Sequence, residues 1–241
     1  MFNFIYKNSN SSIIPDIIIW TGDNPSHNLV NLNNQDGVLK ITKILTDQIN
    51  DITKSLNYTI SVYPSLGNHE KFPNDILNPY DEYSLKQVYK AYGDIWRDWL
   101  GEEAYKTFIE FGYYSKIHPN TNLRIISYNC LYCDSLNFYL IKNPTDPQNQ
   151  IKWIEQELRE AEKNNEVVYM ISHIPVMDDF FLLQCSKRLR AIMDRFSHII
   201  RGHFTGHTHE DHVNLQQEYF ADENGNRNIT GAIFTSPSLT T

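Results

Sequence analysis

Short apolar runs in this chain are followed, within a few residues, by side chains able to hold a metal ion. That repeated juxtaposition restricts the possible folds more than any other feature. The segments at 16–20 (Asp-Ile-Ile-Ile-Trp), 59–63 (Thr-Ile-Ser-Val-Tyr), 167–171 (Val-Val-Tyr-Met-Ile) and 198–200 (His-Ile-Ile) read as buried strands. Between them, Ile41, Ile44, Leu45, Ile49, Ile52 and Leu56 recur at helical spacing over 40–56. A second helix is expected over 84–100, its broad face of Leu85, Val88, Tyr92, Ile95, Trp96 and Trp99 serving core packing. Asp146-Pro147 opens a third, continued by Ile151, Ile154, Leu158 and Ala161, and 186–197 is a fourth. Further strands are expected at 124–128 and 229–235. Strands alternating with helices predict a single α/β domain over 1–241, with helices outside a largely buried sheet.

The polar residues beyond these strands form a coherent donor set. Gly22-Asp23 follows the first, Gly67-Asn68-His69-Glu70 the second, Ser172-His173-Ile174-Pro175 the third and Gly206-His207-Thr208-His209 the fourth. Sheets of this class gather their sites at the carboxyl ends of strands. Asp23 offers a carboxylate that can bridge two cations, Asn68 an amide oxygen, and His173, His207 and His209 imidazole nitrogens. Each alone has an ordinary reading: a turn, a polar loop or a satisfied core histidine. Together they predict a paired metal centre, a device suited to cleaving phosphate esters, because a metal lowers the pKa of bound water to roughly 7. Zn²⁺ is the first choice; Mn²⁺ or Fe suits the same donors. His27 and His69 stand beside the expected ligands. There they can stabilise charge or donate a proton to a leaving oxygen, although His27 also reads as a solvated loop histidine. His118, His198, His203 and His212 read as structural or surface residues.

Composition narrows the partners. A formal net charge of −8 without a basic run argues against a nucleic-acid partner held by many phosphate contacts. No stretch of 18 apolar residues suggests a membrane span, and the start of the chain lacks the apolar core of a signal peptide. The three cysteines, Cys130, Cys133 and Cys185, allow one disulfide or three thiols, and a bond from Cys130 or Cys133 to Cys185 is favoured. Sequons stand at Asn10, Asn57 and Asn228.

With these motifs the chain resembles the calcineurin-like metallophosphoesterases, and within them acid sphingomyelinase and the acid sphingomyelinase-like phosphodiesterases. The resemblance rests on Trp20-Thr-Gly-Asp-Asn-Pro-Ser-His27, Val62-Tyr-Pro-Ser-Leu-Gly-Asn-His-Glu70, Thr145-Asp-Pro-Gln148, Ser172-His-Ile-Pro175, Gly206-His-Thr-His-Glu-Asp211 and Ser236-Pro-Ser-Leu-Thr-Thr241. It implies a β-sandwich flanked by helices. Asp23 would be the bridging ligand, with Asn68, His173 and His207 completing one metal site and His209 serving the other. It implies His27 as proton donor to the leaving alcohol, His69 as a phosphate contact, and a Cys133–Cys185 disulfide that leaves Cys130 unassigned. It further implies two Zn²⁺ ions, a secreted or lysosomal protein, and a phosphodiester substrate, a sphingolipid at a membrane surface, cleaved to ceramide and phosphocholine.

The family opens with an Asp-x-His on its first strand, and no Asp-x-His occurs in this sequence. The expectation is therefore a sandwich lacking its first strand and its C-terminal part, in which the second ion's site keeps only Asp23 and His209. Two further readings remain: hydrolysis of nucleotides or other small phosphodiesters, and a truncated metal-binding remnant without turnover.

Overall fold

The computed structural model describes residues 15–27, 34–55, 59–142 and 145–238. Strand β1 (Ile17–Trp20) pairs in parallel with β2 (Ser61–Pro64), Ile18 opposite Val62. Helix α1 (Gln35–Ser55) is the crossover between them, and buries Val38, Thr42, Thr46 and Ile49. Among the described residues β1 has β2 as its one partner strand.

A second, six-stranded sheet has the order β3-β4-β5-β6-β8-β7: β3 (Tyr114–Ile117), β4 (Leu123–Ser127), β5 (Val167–Ile171), β6 (Ile200–Thr205), β7 (His212–Gln217) and β8 (Ile229–Thr235). Strands β4, β5, β6 and β8 run parallel, while β3 and β7 close the two sides antiparallel. The sheets meet where the Ser127 hydroxyl donates to the Pro64 carbonyl (3.1 Å) and the Tyr114 hydroxyl to the same oxygen (2.9 Å). Helices flank this arrangement, so the expectation of an α/β fold with helices outside the sheet holds, and the sheet itself is mixed.

Helix α2 (Glu82–Phe111) carries the aromatic core. The Tyr92 ring packs at a tilt against Trp96, and Trp96 at a tilt against Phe108. Asp81 caps its start through the Ser84 amide, and Gly112 ends it in the left-handed region (φ 74°). The helix expected over 84–100 is met by the segment that precedes Gly101. Gly101 breaks it at φ 72°, a true stop signal, but regular helix resumes to Phe111.

The third helix also starts later than Asp146-Pro147 suggests. Gln148 and Asn149 both adopt positive φ (54°), so Pro147 sits in a 3₁₀ turn and helix α3 runs Gln150–Lys163. Asp146 still satisfies its first turn, accepting from the amides of Ile151 (2.8 Å) and Lys152 (3.1 Å). Ile151, Ile154, Leu158 and Ala161 form its buried face, as the periodicity predicts. Helix α4 (Leu183–Arg195) precedes β6, and β6 begins where the expected strand at 198–200 ends. Its polar Arg201, His203 and Thr205 hide the strand from an apolar-run reading. Strands β3 and β7 were likewise unanticipated, because Lys116, Asn214, Gln216 and Gln217 make them read as loops.

A disulfide joins Cys133 to Cys185, and Cys130 remains a buried thiol, as the resemblance implies. No described helix is long and apolar enough to cross a membrane. The sequons at Asn10 and Asn57, Leu56 of the first helix pattern, and residues 239–241 of the last motif lie outside the described residues. Asn228 is exposed beside the start of β8.

Candidate metal centre

Each strand that the sequence marks delivers its donor to one rim. Asp23 leaves β1, Asn68 leaves β2, His173 follows β5 and His207 follows β6. The backbone bends sharply there: Asp23 (φ 61°), His207 (φ 73°) and His209 (φ 61°) all occupy the left-handed region. Such conformations cost non-glycine residues on the order of 1–3 kcal/mol and concentrate where surrounding contacts enforce them.

The result is a compact cluster. His173 Nε2 lies 3.0 Å from Asp23 Oδ2, and His207 Nδ1 is 3.3 Å from both His173 Nε2 and Asn68 Oδ1. Ligand atoms of Asp23, His173 and His207 all fall within 4.8 Å of one another. His173 is aimed by its other nitrogen, Nδ1, which stands 2.8 Å from the Thr21 carbonyl. Asn68 is aimed by its amide nitrogen, which donates to Asp75 Oδ1 at 2.8 Å and so turns the oxygen toward His207. Partners of this kind hold ligands in place at metal sites.

The electrostatics favour a cation. Burial raises the Asp23 carboxyl, but the neighbouring His173 and His69 more than offset it and hold the group well below the usual carboxylate range. Burial opposes a charged His173, yet Asp23, Glu70 and the Thr21 carbonyl raise it on balance. A proton on His173 thus answers the same demand that a metal ion would. His207 is lowered by burial and by His173, which favours the neutral imidazole that ligates. One carboxylate, one amide oxygen and two imidazoles fit a divalent transition ion.

His209 does not join these four. Its ring packs 5.1 Å from that of His27, which in turn lies 4.4 Å from that of His69. His69 Nε2 is 4.0 Å from Asp23 Oδ2, so Asp23 stands between two histidine groups. His27 and His209 are exposed while His69 and His173 are buried, so the rim opens on the His27 side. Burial and the neighbouring His69 and His209 lower His27.

Four contributors escape a motif reading. Glu70 accepts the amide hydrogens of Asp23 (2.8 Å), Asn24 (2.7 Å) and Gly67 (2.6 Å). Thr21 and Asp75 orient His173 and Asn68. Phe180, half exposed, sets its ring edge-on 5.3 Å from that of His207. Thr21 and Glu70 lie within motifs, and nothing in residue type separates a clamp from a ligand. Of the four histidines expected to be structural or surface residues, His118 pairs with Tyr63, His198 with Glu162 at the surface, and His203 with Tyr128, while His212 opens β7.

Comparisons with known proteins bear on the fold and the family. A dimetal phosphatase from Danio rerio shares the fold at a TM-score of 0.53 and 14% identity, over 92% of this chain and 72% of that one. A PhoD structure shares it at 0.59 and 12%, over 100% and 53%. Among sequence relatives, the cyclic GMP-AMP phosphodiesterase SMPDL3A of Rattus norvegicus is 34% identical over 99% of this chain and 52% of its own length. Sphingomyelin phosphodiesterase of Homo sapiens is 33% identical over 94% and 34%. This chain therefore spans about half the length of the first relative and about a third of the second. The calcineurin-like phosphoesterase family model matches residues 2–211. With that match over most of its length and its donors gathered at the strand ends, the chain belongs to the calcineurin-like phosphoesterase family.

Proposed function

We propose that this chain is the catalytic part of a phosphodiesterase of the acid sphingomyelinase type. The observation that carries the reading is the convergence of Asp23, His173 and His207 within 4.8 Å, with Asn68 Oδ1 alongside His207. These four would hold one Zn²⁺ ion, and Asp23 and His209 would contribute to holding a second. Bound divalent ions supply positive charge at the phosphoryl oxygens and acidify the attacking water.

The chain's own residues do the rest. Asp23, Asn68, His173 and His207 would hold the ion. His69, buried beside Asp23, faces the phosphate and stabilises its developing charge. His27, at the open side, holds a proton on its ring for the leaving alkoxide. Phe180 presents an apolar surface beside His207.

The substrate reading is sphingomyelin, cleaved to ceramide and phosphocholine at a membrane surface, in a secreted or lysosomal setting. The Cys133–Cys185 disulfide supports an oxidising compartment. A second reading, hydrolysis of nucleotide phosphodiesters, is favoured by the relatives named as cyclic GMP-AMP phosphodiesterases.

The test is metal content of the purified chain, followed by turnover of bis(p-nitrophenyl) phosphate, sphingomyelin and a cyclic dinucleotide. Bound metal and turnover lost in His173→Ala are expected. A chain that takes up no metal and cleaves none of the three overturns the proposal, and the ratio of the last two activities separates the substrate readings.

A further inference from the structure

Asp23 occupies an improbable position. It follows Gly22 (φ 90°) and itself sits at φ 61°, two successive residues in the left-handed region. Left alone, a loop bent this way gives up its strain by relaxing. The bend has a consequence, however: the consecutive amides of Asp23 and Asn24 converge on one point. Such concave pairs of amide groups accept an anion.

The anion is supplied from the other ligand loop. Glu70 is fully buried and sends its carboxylate back toward β1. Its Oε2 accepts from Asp23 (2.8 Å) and from Gly67 (2.6 Å), and its Oε1 from Asn24 (2.7 Å). Gly67 leaves room for this; a Cβ there would overlap Asp23 and stand 2.8 Å from Glu70 Oε2. A return bond completes the stitch, since the His69 amide donates to Asp23 Oδ1 at 3.0 Å. Glu70 is itself held: Gln35 Nε2 donates to its carbonyl at 2.9 Å, and the Tyr92 hydroxyl donates to the same oxygen.

We propose that Glu70 is the positioning residue for the metal centre: its carboxylate locks the two loops that carry Asp23 and Asn68 into the spacing that an ion requires. The inference rests on the metal-centre reading above. The Glu70 carboxylate accepts from the backbone amides of Asp23, Asn24 and Gly67. It holds the backbone that aims Asp23.

Glu70→Gln separates this role from mere burial. Both oxygens of Glu70 accept backbone N–H groups, so the amide NH₂ of glutamine must face a donor. Glu70→Asp retains the charge but withdraws both oxygens by one methylene. A purely electrostatic role predicts that aspartate substitutes; a positioning role predicts that it fails. The full chain is titrated with Co²⁺, reading affinity and the visible absorption of the bound ion, with thermal melting of the metal-free protein alongside. Both variants are expected to bind Co²⁺ about tenfold or more weakly, with an altered band. In the wild type, amide hydrogen exchange is expected to be slow at Asp23, Asn24 and Gly67, a measurement that stands even where a variant does not fold.

Wild-type affinity and band in both variants overturn this inference alone, as does unprotected exchange at all three amides. A wild-type chain that takes up no Co²⁺ overturns the metal-centre reading, and this inference with it.

Discussion

His173 Nε2 stands 3.0 Å from Asp23 Oδ2 across the gap between two different sheets. Asp23 hangs from the two-stranded sheet and His173 from the six-stranded one, so the pair is a sensor of how the two pack. Bound metal should therefore stabilise the whole domain. Zn²⁺ at about 100 times its dissociation constant is expected to add about 2.7 kcal/mol. The measurement is thermal unfolding with and without Zn²⁺, after chelation. His173→Ala should abolish the shift, and a variant that keeps it would refute the ligand assignment.

Asp75 holds the Asn68 amide nitrogen at 2.8 Å. Asp75→Asn replaces an acceptor with a group that can present either end, so Asn68 loses its fixed orientation. Metal affinity should fall by about tenfold, by the usual effect of removing a ligand's supporting partner. Isothermal titration with Zn²⁺ reads this directly, and unchanged affinity would remove Asp75 from the site.

The proton donor assignment makes a pH prediction. Burial and the adjacent histidines lower His27, so its protonated form is populated only on the acid side of the ordinary histidine range. A general acid must carry its proton, so kcat should decline as pH rises through that lowered value. His27→Ala is expected to cost about 10²–10⁴-fold and to erase this decline. A pH profile that keeps its alkaline limb in the variant assigns the proton to another group.

Phe180 tests substrate recognition. Phe180→Ala should raise KM severalfold for diesters with aromatic or long apolar groups and leave kcat nearly unchanged, because the ring touches no reacting atom. Methyl p-nitrophenyl phosphate against bis(p-nitrophenyl) phosphate makes the comparison. Equal effects on both would show that Phe180 contributes no selectivity.

His203 governs stability in acid. Fully buried against Tyr128, it is pushed down to about 3 by burial. The unfolded chain binds a proton on this histidine at the ordinary value, and the folded chain resists until about pH 3. Its contribution is thus complete above the unfolded value and is lost as pH falls from there toward 3, at about 1.4 kcal/mol per pH unit. His203→Gln should flatten the acid limb of a urea-unfolding series relative to wild type. Parallel limbs would show that His203 is not the titrating group.

Much of the site is legible residue by residue. Asp23, Asn68, His173 and His207 announce themselves because each combines a metal-donor side chain with a strand end, and both properties are local. The buried faces of α1 and α3 are legible for the same reason, since periodicity needs only neighbours in sequence. Strands β3 and β7 were not, because a sheet's outer strands are held by ladder hydrogen bonds to a partner and need no apolar run of their own. The outer face of β7 shows this plainly, with Val213 and Leu215 largely exposed.

What the sequence determined by itself was the alternation of the inner strands with their helices and the chemical character of the donors, because these follow from side-chain type and short-range spacing. What only the tertiary structure decided was which donors share a position in space. It set His209 beside His27 rather than beside His207, turned Asn68 with Asp75, and made Glu70 a clamp instead of a ligand. The reason is physical. Left-handed bends at Asp23, His207 and His209 redirect the chain within one residue, and contacts between distant segments, such as Glu70 on the Asp23 amide, hold it there.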